Sequence, residues 1–210
     1  MKLLTVHGWA FCPEVFKNLP STFEVEHHRI TYRKGLREEA SLIAERIDES
    51  TVLVGWSLGA TLAVLASTLK KPKGLVLIGA TKHFGGAWKR EFIENFLREL
   101  KEDFTSKVKS FRKTVWGEPI CGEVPPKEGA IKLLEEFIET DITGEFSSLD
   151  VPTLLVCGRK DGVVPFTECR KLLKLNPRRN IKRFVYDGGH FPKEFSPGDW
   201  QQILESLNQL

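Results

Sequence analysis

An α/β protein with a mostly parallel central sheet flanked by helices is predicted by three observations. Continuous apolar runs at residues 52–54, 75–78 and 154–156 read as central strands covered on both faces. Segments of helical period alternate with strands, the rhythm of parallel βαβ units. From about residue 81 to 140 that rhythm stops, then resumes at Val151, which marks a helical insertion inside one domain spanning residues 1–210.

Residues 3–6 form a short buried strand that runs into His7-Gly8-Trp9 and a turn ending at Pro13, where a helix is predicted because proline suits a first helical position. Residues 23–30 alternate Phe23 and Val25 with Glu24 and Glu26, the pattern of a strand at or near an edge. His27 and His28 fall side by side in this run, so they point to opposite faces and read as strand-end or surface histidines. Leu36, Ala40, Ile43, Ala44 and Ile47 recur at helical spacing with charged residues between them, giving an amphipathic helix.

The chain then runs from a β-branched strand at 51–54 through Gly55-Trp56-Ser57-Leu58-Gly59 into an Ala- and Leu-rich helix reaching about Ser67. In the insertion, Phe92, Phe96, Leu100, Phe104 and Val108 step by four. Trp116, a Gly/Pro-rich stretch (117–129) and a second helix at 130–139 follow. The remaining pattern is strand 151–157, loop 158–165, helix 166–175, strand 181–186, loop 187–192 and a last helix from about Pro197.

Bulk composition narrows the possible functions. The chain is 41% hydrophobic and 28% charged with a net charge of +3, too small an excess to suggest nucleic acid as a partner. No apolar run is long enough for a membrane span, and the stretch before His7 is too short for a signal peptide, so a cytoplasmic protein is expected. Cys12, Cys121, Cys157 and Cys169 show no metal-ligand spacing and read as free thiols; no metal and no cofactor are expected.

Gly-x-Ser-x-Gly between a strand and a helix is the sequence of a tight turn that exposes a serine hydroxyl. Ser57 is therefore the candidate nucleophile. A serine needs a base to take its proton and an acid to orient that base. After Ser57, the loops that follow apolar strands offer Asp161 and His190, in the chain order Ser, Asp, His. Asp187 competes for the acid role, but it lies only three residues before His190, and Asp161 is preferred because it comes from a separate loop. The oxyanion donors expected are the N–H groups of Leu58, the residue after the nucleophile, and of Trp9 in the loop after the first strand. His7 reads as structural.

Together these residues resemble the α/β-hydrolase superfamily, and within it the pimeloyl-[acyl-carrier protein] methyl ester esterases. His7-Gly8-Trp9 and Gly55-Trp56-Ser57-Leu58-Gly59 match that family's motifs with tryptophan in both. Residues 96–111 are similar to its lid, and residues 129–141 and 149–165, with Asp161-Gly162-Val163-Val164-Pro165, follow its pattern. After Ile30 the chain departs from it, since Thr31-Tyr32-Arg33-Lys34-Gly35 replaces a longer glycine-rich loop, a change expected to open that side of the pocket.

The resemblance implies an α/β-hydrolase fold with a helical cap at 81–140 and hydrolysis of a pimeloyl methyl ester carried on an acidic acyl carrier protein. It implies Ser57, Asp161 and His190 as triad, Trp9 and Leu58 as oxyanion donors, and Phe111 to Val115 as cap wall, so Trp9, Leu58, Phe111 and Val115 are the expected substrate contacts. Local charge suggests where a carrier would dock: Lys107, Lys109, Arg112 and Lys113 occur without an acidic residue, and a continuous helix would set Arg98, Lys101, Lys109 and Arg112 on one solvent face. Lys109, Arg112 and Lys113 are the expected docking residues. Ser57 excludes a carboxylate-nucleophile dehalogenase or epoxide hydrolase, whereas a broad carboxylesterase acting on small esters, a thioesterase and an inactive binding module remain as alternatives. A monomer that touches neither membrane nor nucleic acid is expected.

Overall fold

The computed structural model describes residues 1–176 and 180–207. Among the described residues six strands pair throughout in parallel, in the order β2-β1-β3-β4-β5-β6. They are β1 (Lys2–Val6), β2 (Glu24–His28), β3 (Thr51–Trp56), β4 (Gly74–Ile78), β5 (Thr153–Gly158) and β6 (Ile181–Tyr186). β2 is an edge strand, as its alternating pattern predicts. Every residue of β3, β4 and β5 is buried, which is why these strands read as unbroken apolar runs.

Alternation within the strands builds two cores. Leu4, Leu53, Leu75 and Leu155 pack on one face with α1 (Leu36–Glu45), α2 (Leu58–Leu69) and α7 (Phe166–Leu175). Leu3, Val52, Val76 and Leu154 face the other side with Phe11, Phe16, Trp116 and α8 (Pro197–Ser206). α2 is buried all along Leu58 to Ser67 and is apolar on every side, as a helix wedged between sheet and neighbouring helices must be.

Between β4 and β5 the chain forms α3 (Arg90–Glu102), α4 (Phe104–Trp116), α5 (Lys127–Glu139) and the short α6 (Thr143–Ser148). The helix expected to continue through residue 104 is two helices. Asp103 leaves helical geometry at φ −135° and its Oδ1 accepts the Ser106 N–H at 3.1 Å, capping α4 and ending α3. The predicted helix at Pro13 is a single 3-10 turn, Pro13–Phe16.

The cysteines are also corrected. Cys12 bonds Cys121 and Cys157 bonds Cys169, with Cα atoms 5.7 and 6.4 Å apart, and none is free. Residues 109 apart in sequence show no local signature of pairing. Disulfides persist mainly in oxidising compartments or in hyperthermophiles, so the pairing lends no support to the cytoplasmic expectation. Among the described residues no helix is long and apolar enough to cross a membrane.

Candidate active site

β3 delivers Ser57 to the carboxyl edge of the sheet. Ser57 sits at φ 57° and ψ −120°, a left-handed conformation that side chains avoid and that costs about 1–3 kcal/mol. The surroundings hold it there: its N–H donates to the Ile78 carbonyl at 2.9 Å, and its own carbonyl accepts the Ala60 N–H at 2.8 Å as α2 begins. A side chain at Gly55 would strike the Gly59 carbonyl, and one at Gly59 would strike the carbonyls of Val6 and His7. The two motif glycines are therefore demanded by close backbone approach rather than by their own dihedral angles.

His190 follows β6, and its Nδ1 lies 2.7 Å from Asp161 Oδ2, with both side chains 3% exposed. The other carboxylate oxygen, Asp161 Oδ1, accepts the N–H groups of Val163 and Val164, each at 2.8 Å, so the acid has a fixed orientation. The His190 carbonyl accepts the Trp56 indole N–H at 3.0 Å, which anchors the histidine loop directly to the end of β3. With Nδ1 engaged, Nε2 is left buried and, among the described residues, without a hydrogen-bond partner. Asp187 is 68% exposed and pairs with Lys160 at 2.9 Å, away from this arrangement.

The loop after β1 lies against Ser57, since a Cβ built on Gly8 would stand 3.3 Å from the Ser57 Cβ. His7 supports that loop from beneath: Nδ1–H donates to the Gly8 carbonyl at 2.9 Å while Nε2 accepts the Ile30 N–H at 3.2 Å. Both nitrogens are satisfied only in the neutral ring, and burial pushes its pKa down to about 4. Between about pH 4 and 6.5 the unfolded chain binds a proton here that the folded chain refuses, so stability falls with acidification through that window. The expected loss between pH 7.5 and pH 5 is about 2 kcal/mol. Denaturant midpoints at pH 7.5 and 5 should show it in the wild type and show it reduced in His7→Gln.

The second strand-end histidine is buried too. His28 bonds Glu39 at 2.7 Å, and Glu39, fully buried, also accepts the Thr31 N–H and hydroxyl at 3.1 and 2.8 Å. His27 remains exposed, as opposite strand faces require.

A cavity of about 200 Å³ reaches Ser57 and is lined by Trp9, Phe96, Phe111, Phe137 and Val163 among others, with no charged side chain. Trp9 and Phe111 thus line it as expected, whereas Leu58 and Val115 do not: Leu58 is fully buried in packing and Val115 packs toward the second core. Sequence reasoning missed Trp88 and Phe137, whose apolar character alone looks like core. Trp88 Nε1 donates to the Val163 carbonyl at 2.9 Å, linking the insertion to the loop that carries Asp161.

None of residues 31–35 lines the cavity, so the shortened loop does not open it; Tyr32 is buried there and its hydroxyl accepts the Ala10 N–H at 2.9 Å. Arg112 is a further correction. It is 6% exposed and donates to three main-chain carbonyls, so it cannot be part of a solvent-facing docking surface, while Lys109 and Lys113 are exposed.

No family model matches the chain. It is 27% identical over 99% of its length, and 94% of the relative's, to the pimeloyl-[acyl-carrier protein] methyl ester esterase of Xanthomonas oryzae. The protein of the same name from Photobacterium profundum is 22% identical, over 98% and 93% of the two chains. Among solved structures, an esterase from Exiguobacterium antarcticum superimposes with a TM-score of 0.81 at 17% identity, covering 99% of this chain and 92% of that one. A bromoperoxidase from Bacillus anthracis gives the same TM-score at 18% identity, covering 100% and 92%. The chain has the α/β-hydrolase fold, and along almost its whole length it resembles the pimeloyl-[acyl-carrier protein] methyl ester esterases.

Proposed function

We propose that this protein is a serine esterase that hydrolyses the methyl ester of a pimeloyl chain borne on an acyl carrier protein, with Ser57, His190 and Asp161 as its triad. The observation that carries the reading is the buried Asp161–His190 pair, whose loop is tied by the His190 carbonyl to Trp56, the residue before Ser57, while Ser57 itself lines an uncharged cavity.

In this reading Ser57 Oγ attacks the ester carbonyl while His190 Nε2 takes its proton, and Asp161 stabilises the imidazolium that forms. Negative charge on the former carbonyl oxygen meets the main-chain N–H groups of Leu58 and Trp9. Methanol departs with the proton from His190, leaving an acyl group on Ser57. Water attacks that acyl group through the same base and releases the carboxylic acid. The apolar lining suits an uncharged methyl ester better than the carboxylate it becomes, which favours ester entry and product release.

The insertion at 81–140 acts here as a cap, supplying Phe96, Phe111 and Phe137 to the cavity. The carrier docks at the exposed Lys109 and Lys113 of α4. Such docking acts mainly on association and is screened over ~8 Å at physiological salt. kcat/KM for the carrier-linked ester should therefore fall steeply with added salt, and by on the order of 10-fold in Lys109→Glu, Lys113→Glu. Turnover of a small neutral ester should change little in both cases. Parallel losses on both substrates would instead assign these lysines a structural part and leave a general esterase for small esters.

A further inference from the structure

Arg112 has an arrangement that neither packing nor ion pairing accounts for. It lies in α4 with 6% of its surface exposed, and among the described residues no carboxylate pairs with it. Its guanidinium is spent on neutral groups: Nε donates to the Ala10 carbonyl at 2.7 Å, Nη1 to Cys121 at 2.6 Å and Nη2 to Glu123 at 2.8 Å. Burying a cation against carbonyls alone is unfavourable, and burial depresses the Arg112 pKa accordingly. A buried apolar side chain would stabilise the helix contact more cheaply, so the three carbonyls are the place to look for its purpose.

Two of those carbonyls belong to residues in a conformation they resist. Ala10 sits at φ 62° and Cys121 at φ 61°, both in the left-handed region without being glycine. Each is a strained conformation that the surroundings must sustain. Ala10 directly follows Trp9, and its turn is held on the other side by the Tyr32 hydroxyl, which accepts the Ala10 N–H at 2.9 Å. The Trp9 indole donates to the Ala130 carbonyl at 2.8 Å, and the Cys12–Cys121 disulfide joins the same two segments that Arg112 bridges. A planar fork with donors on two edges can grip Ala10 on one side and residues 121–123 on the other; an ammonium cannot hold that relation.

We propose that Arg112 is a positioning residue for catalysis, fixing the strained Trp9–Ala10 turn so that the Trp9 N–H is held where the oxyanion forms. The inference rests on the esterase reading above. Arg112 touches no reacting atom; it acts through the loop. Relaxation of Ala10 toward ordinary dihedral angles would turn the Trp9–Ala10 peptide and carry the Trp9 main chain with its N–H out of place, and a displacement of about 1 Å in such a group can cost about 10²-fold in rate.

The test compares Arg112→Ala, Arg112→Lys and Tyr32→Phe, the last removing the second bond to Ala10 while leaving the guanidinium in place. A neutral p-nitrophenyl ester is the substrate, and an alkyl trifluoromethyl ketone, which adds to the serine as an anionic hemiketal, is the inhibitor. The expected result for Arg112→Ala is a fall in kcat of about 10²-fold with KM little changed, matched by an equal weakening of the ketone. Millimolar guanidinium should restore part of the kcat, Arg112→Lys should remain impaired, and Tyr32→Phe should show the same signature more mildly. A folded Arg112 variant, with the Cys12–Cys121 bond confirmed by mass, that keeps wild-type kcat and ketone affinity overturns the proposal. If the Arg112 variants fail to fold, unchanged kcat and ketone affinity in Tyr32→Phe overturns it equally. Ser57→Ala, assayed alongside, separates the two claims: its inactivity beside fully active Arg112 variants removes only the positioning role, whereas wild-type turnover by Ser57→Ala removes the esterase reading itself.

Discussion

Ser57→Ala should lower kcat by on the order of 10⁴-fold or more while leaving the fold and the thermal midpoint nearly unchanged. In the proposed reaction the hydroxyl supplies the atom that becomes acylated, and among the described residues the only other hydroxyl side chain lining the cavity belongs to Thr114, on the insertion. Alanine is also tolerable sterically, because the backbone at φ 57° already accommodates a Cβ. Steady-state assays on a p-nitrophenyl ester, together with circular dichroism, would check both halves. A well-folded variant with wild-type turnover would contradict the triad.

Asp161→Asn should cost roughly 10⁴-fold in kcat, because the amide offers the wrong partner to His190 Nδ1 and removes the charge that stabilises the imidazolium. Asp187→Asn should cost little. The two residues were rivals in sequence, and their surroundings now differ sharply. Asp161 is 3% exposed with both oxygens committed to His190 and to two main-chain N–H groups, whereas Asp187 is 68% exposed beside Lys160. The reverse ranking in kcat would move the acid to Asp187.

Much of this arrangement was legible because it is written in local chemistry. A strand, a Gly-x-Ser-x-Gly turn and a helix are adjacent in sequence, so β3, Ser57 and α2 could be read together. Asp161 and His190 follow β5 and β6, whose apolar runs predict buried parallel strands, and a parallel sheet brings all such loops to one edge. The helix of residues 166–175 and the strand of 181–186 were also bounded correctly by periodicity alone.

What escaped depends on contacts between distant segments. Arg112 looks like one more cation on a basic helix, and only its approach to Ala10, 102 residues away, turns it inward. The Cys12–Cys121 pairing is equally nonlocal. The break between α3 and α4 had a readable signal, since Asp103 can cap a new helix through the Ser106 N–H, but the four-residue aromatic stripe across it argued for continuity. Phe92 belongs to that stripe, and although 68% exposed it stacks with Trp88 and lines the cavity.

The central claim is that Ser57 is a nucleophile activated by His190, and covalent labelling tests it most directly. An alkyl fluorophosphonate should add one phosphonyl group per chain, mapped by mass spectrometry to the Ser57 hydroxyl, at a rate that drops sharply in His190→Ala. Labelling at any other residue, or labelling of Ser57 that is equally fast without His190, would contradict it.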